Sequence, residues 1–320
     1  MKNILVTGAL GQIGTELTLA LKKKYGNDNV IATDIRKECN EALAGTGPFH
    51  TLDVTNKEEL AKIIKQYNID TIFHLAAILS ATGEKDPILC WNINMNGSIN
   101  VLETARLNNV KKVIIPSSMA VWGPDAPKFN TPQDSVLKPT TMYGVTKVCG
   151  ERLCDYYVQK YGLDCRGLRY PGIISSETLP GGGTTDYAVE IFYEAVKNKK
   201  YTCFLKEDAT LPMMYMPDCI NATISLAEAD FANLKHHSDF NVAAFSFDPK
   251  TLAENIKKYM PEFEISYAPD FRQDIADSWP KTIDDSAARS EWNWKPNYDM
   301  DLMTKEMLQI LTEKHKNGKF

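Results

Sequence analysis

The chain is 320 residues long, 43% hydrophobic and 24% charged, with a formal net charge of −5 at neutral pH. That size and apolar content exclude a disordered polypeptide and accommodate one nucleotide-binding domain with a smaller lobe. No block of like charges interrupts the sequence, which excludes a surface built to hold nucleic-acid phosphates and leaves small molecules as the expected partners.

From the N-terminus, Ile4-Leu5-Val6 reads as a strand, followed by a glycine-containing turn and a helical stretch over 12–24. A second apolar run, Val30-Ile31-Ala32-Thr33-Asp34, completes a βαβ unit. The alternation continues with a helix over 57–67, a strand over 71–75, a helix from about 95 to 108 and a strand over 112–116. This rhythm predicts an α/β fold of Rossmann type with a doubly wound parallel sheet. A helix over 143–161 and a strand over 165–170 follow; a loop over 181–185 then leads into a helix over 186–197, and the last third mixes short elements. The expected division is a dinucleotide-binding domain over 1–170, to which about 218–245 return, and a substrate lobe made of 171–217 and 246–320. Seven cysteines without a C-x-x-C pair suggest free thiols in a reducing compartment. With Met1 close to the first strand and no apolar run of about 20 residues, the expected location is the cytoplasm, without membrane attachment.

The turn Gly8-Ala9-Leu10-Gly11-Gln12-Ile13-Gly14 lies between the first strand and first helix. Glycines there permit a tight turn and close approach of a pyrophosphate to the free N–H groups of the helix. Asp34 follows Gly14 by twenty residues, at the end of the second strand. A carboxylate at that point accepts hydrogen bonds from ribose hydroxyls and repels a 2′-phosphate, so NAD is the expected cofactor. Arg36 admits two readings, a stacking or solvated residue or a partner for that phosphate. Asp53 and Val54, after another short strand, are expected beside the adenine, and Leu75, Ala76 and Ala77 beneath the middle of the cofactor.

Tyr143 and Lys147 are four residues apart and share a helical face. A nearby ammonium favours a phenolate, so Tyr143 is the expected general base and Lys147 its helper and a ligand of the cofactor ribose. Ser117 and Ser118 follow a strand at the carboxyl edge of the sheet, where α/β proteins place ligands. Ser118 is expected to bind the substrate oxygen, with Ser117 assisting.

These motifs, with His74-Leu75-Ala76-Ala77, Asn94-Met95-Asn96-Gly97 and Tyr215-Met216-Pro217-Asp218, resemble in order those of the extended short-chain dehydrogenase/reductase family, over essentially the whole chain. The resemblance implies catalytic roles for Ser118, Tyr143 and Lys147. It also implies a cofactor-binding role for Asn94, contact of Tyr170 with the cofactor, and a homodimer formed by the helices from about 95 and 143.

Further segments resemble one branch of that family, the short-chain L-threonine 3-dehydrogenases: Leu79 to Glu84, Leu168 to Ser175, Leu179 to Ala188 and Leu211 to Met216. This likeness implies oxidation of the β-hydroxyl of L-threonine to 2-amino-3-ketobutyrate, which decarboxylates readily to aminoacetone. Ser80, Thr184 and Thr185 are then expected around the substrate, with Trp279 as a wall; loop capping is the alternative for the three hydroxyl residues and packing for Trp279. Two rival functions stay open, a sugar-nucleotide epimerase or dehydratase and a non-catalytic nucleotide sensor. Five histidines without H-x-x-x-H spacing give no reason to expect a metal.

Overall fold

The computed structural model describes residues 1–178 and 181–320. Leu179 and Pro180, part of one segment that carries the threonine dehydrogenase likeness, lie outside the described residues.

Strands β1 (Ile4–Thr7) and β2 (Val30–Asp34), joined by helix α1 (Gln12–Tyr25), are buried along their whole length. Strands covered on both faces need continuous apolar runs rather than alternation. Next come β3 (Phe49–Thr51), α2 (Lys57–Gln66) and β4 (Thr71–His74). The chain continues through α3 (Ser80–Gly83), α4 (Pro87–Trp91), a π turn at Asn92–Asn96 and α5 (Gly97–Leu107). The helix expected from about 95 therefore starts earlier: Asp86 accepts the Leu89 N–H and Pro87 occupies the first turn. The π turn carries the helical path onward and re-aims Asn94.

After β5 (Lys112–Ile114) and β6 (Ser117–Ser118), helix α6 (Met142–Tyr161) is capped by Thr141 and closed by left-handed Gly162. Then follow β7 (Asp164–Arg166), β8 (Leu168–Tyr170), β9 (Gly172–Ile174), α7 (Tyr187–Asn198), β10 (Lys200–Cys203), β11 (Leu211–Tyr215) and α8 (Met216–Glu228). The remainder holds β12 (Phe240–Asn241), β13 (Phe245–Phe247), α9 (Pro249–Lys257), β14 (Glu264–Tyr267), α10 (Arg272–Ser278), α11 (Ser286–Trp292) and α12 (Met300–Lys316).

The main sheet runs β3-β2-β1-β4-β5-β7, all parallel. Helices α2, α5 and α6 cover one face through Leu60, Ile63, Val101, Leu102 and Tyr157, while α1 and α8 cover the other through Leu17, Leu21 and Leu226. Strand order reverses at β1, which has β2 on one side and β4 on the other, so their carboxyl ends open onto one crevice.

The single strand expected over 165–170 is two strands. β7 stays in the main sheet, whereas β8 pairs with β6 and β12. Gly167 makes the break, passing so close to its neighbours that a Cβ there would lie 2.4 Å from the Ser238 carbonyl oxygen and 2.6 Å from that of Ile115. A third sheet, β13-β11-β9, and the pair β10-β14 belong to the second half of the chain. Among the described residues, no helix is long and apolar enough to cross a membrane.

Candidate active site

Gly8, at the end of β1, has a positive φ of 68°, and a Cβ on it would meet the Ala76 nitrogen at 2.6 Å. A Cβ on Gly14 would sit 2.1 Å from the Gly8 carbonyl oxygen. The turn is therefore as tight as its glycines permit. Gly11, at the N-cap of α1, supplies no side chain to the first-turn N–H groups, which suits an anion.

Asp34 accepts the N–H groups of Leu10 and Arg36, both at 3.1 Å. Its two oxygens also take the Arg36 guanidinium, Nε at 2.9 Å and the terminal nitrogen at 3.2 Å. Burial raises the carboxyl pKa, but Arg36 and these backbone groups outweigh it and hold the group below its ordinary value. Arg36 is thus neither free nor simply solvated: it lines the cleft and is forked onto Asp34. Together, the uncapped helix start, the glycine cradle and a charged Asp34 fit a dinucleotide with an unmodified ribose. Replacing Asp34 with Ser should weaken NAD about 10- to 100-fold, the equivalent of one lost charge-assisted hydrogen bond. It should also free Arg36 for a 2′-phosphate, so the ratio of kcat/KM for NADP to that for NAD rises; an unchanged ratio in steady-state assays counts against this assignment.

A cleft of about 590 Å³ runs from this cradle past Leu75 and Ala77 to Ser117, Ser118, Tyr143, Lys147 and Tyr170, and on to Ser80, Thr184, Thr185 and Trp279. Gln12 and Ile13 also line it. Asp34, Asp53, Val54, Ala76 and Asn94 do not. Asp53 is turned onto the Thr55 N–H and hydroxyl, and Val54 is the neighbour that a Cβ on Gly97 would strike at 2.8 Å.

Asn94 acts one step behind the cleft. Its side-chain oxygen accepts the Ile78 N–H at 2.8 Å, and its amide nitrogen donates to the Ile78 carbonyl and the Thr146 hydroxyl, both at 3.1 Å. It pins the loop after β4 to α6 beside Lys147.

Tyr143 and Lys147 lie on the first turns of α6, the lysine Nζ 5.4 Å from the centre of the tyrosine ring. Burial pushes the Tyr143 phenol up to about 12, partly offset by a hydrogen bond with Ser118. Burial likewise pushes Lys147 down to about 8. The expectation that Lys147 is what lowers the phenol is not met in this geometry, because its ammonium donates instead to the Pro116 carbonyl at 2.7 Å. The hydroxyls of the two serines point to different tasks. Ser118 interacts with Tyr143, while Ser117 donates to the buried Glu151 carboxylate at 2.6 Å. Glu151 in turn pairs with buried Arg169 at 2.8 Å. The i+4 step from Lys147 to Glu151 was the sequence signal for this anchor, and it repeats the step from Tyr143 to Lys147. His74, one residue before Leu75, is pushed down to about 3 by burial and by Lys147, so it stays neutral.

At the far end, the Ser80 and Thr184 hydroxyls meet at 3.3 Å, both buried, and join α3 to the loop before α7. Asp186, read from the sequence only as a helix start, accepts the N–H groups of Gly182 and Gly183 at 2.9 and 2.7 Å. Burial raises its carboxyl to about 6. A raised carboxylate pKa means that the folded state loses stability as pH rises through about 6. The melting temperature of Asp186→Asn relative to wild type should therefore become more favourable by a few degrees between pH 4 and 7, each kcal/mol being worth about 2–4 °C at this size. A pH-independent difference in thermal unfolding would rule this out.

Residues 4–243 match the family model described as the NAD dependent epimerase/dehydratase family. The chain belongs to the NAD-dependent epimerase/dehydratase family. A Staphylococcus haemolyticus relative, described as an uncharacterized epimerase/dehydratase, is 49% identical over 318 residues, covering 99% of this chain and 100% of its own length. Among solved structures of the same fold, an L-threonine dehydrogenase from Clostridium difficile is 53% identical with a TM-score of 0.96, covering 98% of each chain. The holo form of a GalE-like L-threonine dehydrogenase from Cupriavidus necator is 48% identical with a TM-score of 0.94, covering 97% of this chain and 99% of its own. The family is NAD-dependent, and the glycine cradle at one end of the cleft, with Asp34 held behind it by the Leu10 N–H and Arg36, fits that cofactor.

Proposed function

We propose that the chain is an NAD-dependent L-threonine 3-dehydrogenase. The observation that carries the reading is one cleft holding Ser118, Tyr143 and Lys147 beside a small, hydroxyl-lined end made by Ser80, Thr184 and Thr185 and walled by Trp279. Similarity to threonine dehydrogenases at about half identity supports it. NAD, when bound, supplies the hydride acceptor and a positive charge that favours the phenolate. Ser118 would hold the substrate β-oxygen, Tyr143 Oη would take its proton, and Lys147, fixed on the Pro116 carbonyl, would hold the cofactor ribose. The product is a β-keto acid, which loses carbon dioxide readily to give aminoacetone. Ser117, committed to Glu151, takes no part in proton transfer.

A nucleotide-sugar substrate would bring a diphosphate. Among the described residues lining the cleft, the only lysine and arginine are Lys147 and Arg36, and His74 stays neutral. We take the cofactor lobe as 1–170 with about 218–245 and the substrate lobe as 171–217 with 246–320, with the catalytic groups between cofactor and substrate. We also propose a homodimer through α5 and α6, whose Ile99, Leu107, Tyr156 and Tyr161 are exposed; light scattering showing only monomer would reject it. The activity is tested by following NADH absorbance with L-threonine, L-serine, 3-hydroxybutyrate and UDP-sugars, each with NAD and NADP. Reduction of NAD with threonine is expected, and its absence rejects the assignment.

A further inference from the structure

We propose that Lys128 is a positioning residue that holds Trp279 as the wall of the substrate end of the cleft; the identity of the substrate rests on the reading above. Lys128 Nζ donates to three successive main-chain carbonyls, those of Asp277 and Ser278 at 2.9 Å and that of Trp279 at 3.3 Å. The end of α10 leaves such carbonyls without helical partners, and an ammonium satisfies them while complementing the negative end of the helix. Three protons around one point charge match three converging oxygens; the planar guanidinium of arginine does not.

The surrounding main chain makes this clamp a crosslink between two segments. Lys281 and Thr282 N–H groups both donate to the Lys128 carbonyl, at 2.7 and 3.2 Å, and the Thr131 N–H donates to the Thr282 carbonyl at 3.0 Å. The segment after β6 and the segment after α10 are thus joined on both sides of Trp279. Lys128 follows Ser118 by ten residues, so the stretch that begins at one lining residue of the cleft also reaches the main chain of another, Trp279.

Trp279 is only 5% exposed and lines the main cleft, but it also borders a second cavity of about 160 Å³ that Lys128 helps to line. Trp279 also belongs to the apolar cluster with Ile275 and Ala276. The three-carbonyl clamp fixes the main chain at Trp279 between the two cavities.

The test compares Lys128→Met, Lys128→Gln and Lys128→Arg with wild type. Lys128→Met should raise KM for L-threonine about 10-fold or more with kcat changed less than about threefold and KM for NAD unchanged, the signature of lost substrate positioning. Acrylamide quenching of Trp279, read as the difference between each protein and its Trp279→Phe counterpart, should increase in parallel. Lys128→Arg and Lys128→Gln should recover part of both effects. Threonine KM and Trp279 quenching within about twofold of wild type in folded Lys128→Met overturn the proposal; if that variant does not fold by circular dichroism, the same result in Gln and Arg overturns it. Should wild type not oxidise threonine, the substrate reading falls, while the quenching comparison still decides the clamp.

Discussion

Tyr143→Phe is expected to lower kcat for L-threonine about 10²- to 10⁴-fold, the usual contribution of a positioned general base. The ring is 9% exposed and belongs to the apolar cluster with Met119, Ala120 and Tyr187. Phenylalanine keeps that packing and removes a single oxygen. Thermal stability and affinity for NAD should therefore stay close to wild type, because the glycine cradle and Asp34 are untouched. The phenol, held at about 12 by burial, must lose its own proton before it can accept the substrate's, so wild-type kcat should rise toward alkaline pH. That rise should vanish in Tyr143→Phe. Stopped-flow measurement of NADH formation separates the chemical step from product release, and a chemical step within about threefold of wild type would falsify the role of Tyr143.

The parts of this molecule that were legible in the sequence are those set by local periodicity or by a residue's unique conformational freedom. β1, α1 and β2 appear as an apolar run, a glycine turn and a second run, and the structure places them within a residue or two of expectation. Tyr143 and Lys147 could be read together because a helix puts positions four apart on one face. What the sequence hid depends on contacts between distant segments. Ser117 and Ser118 are neighbours of the same type, yet only the fold brings Glu151 under one and Tyr143 beside the other. Arg36 admitted two readings because nothing local showed that its fork would close on Asp34. The break at Gly167 depends on the carbonyls of Ile115 and Ser238, each more than fifty positions away. The start of the helix at Pro87 is different in kind, for the Asp86-Pro87 pair that marks it is a local signal.

Gly14→Ala should cost both fold stability and cofactor affinity, and the structure sets its size relative to a neighbouring substitution. The new Cβ would lie 2.1 Å from the Gly8 carbonyl oxygen and 3.0 Å from the Ala9 Cα. Both are main-chain atoms, so no side-chain rotation relieves the contact. Either α1 moves away from β1, or the turn opens at Gly8, whose own φ of 68° leaves it little room beside Ala76. Overpacking of this kind costs about 1–3 kcal/mol, and a displaced helix start no longer offers its N–H groups at the geometry a pyrophosphate needs. Gly11→Ala brings a Cβ only to 3.3 Å from the same oxygen, a contact that a small shift accommodates. Calorimetric titration with NAD and thermal unfolding should rank wild type, Gly11→Ala and Gly14→Ala in that order. The last should lose about 100-fold in affinity, or roughly 2.7 kcal/mol at 1.36 kcal/mol per tenfold. An inverted order of the two alanines would mean that the phosphates approach Gly11 more closely than Gly14 crowds β1, and would shift the cofactor's contact to the N-cap itself.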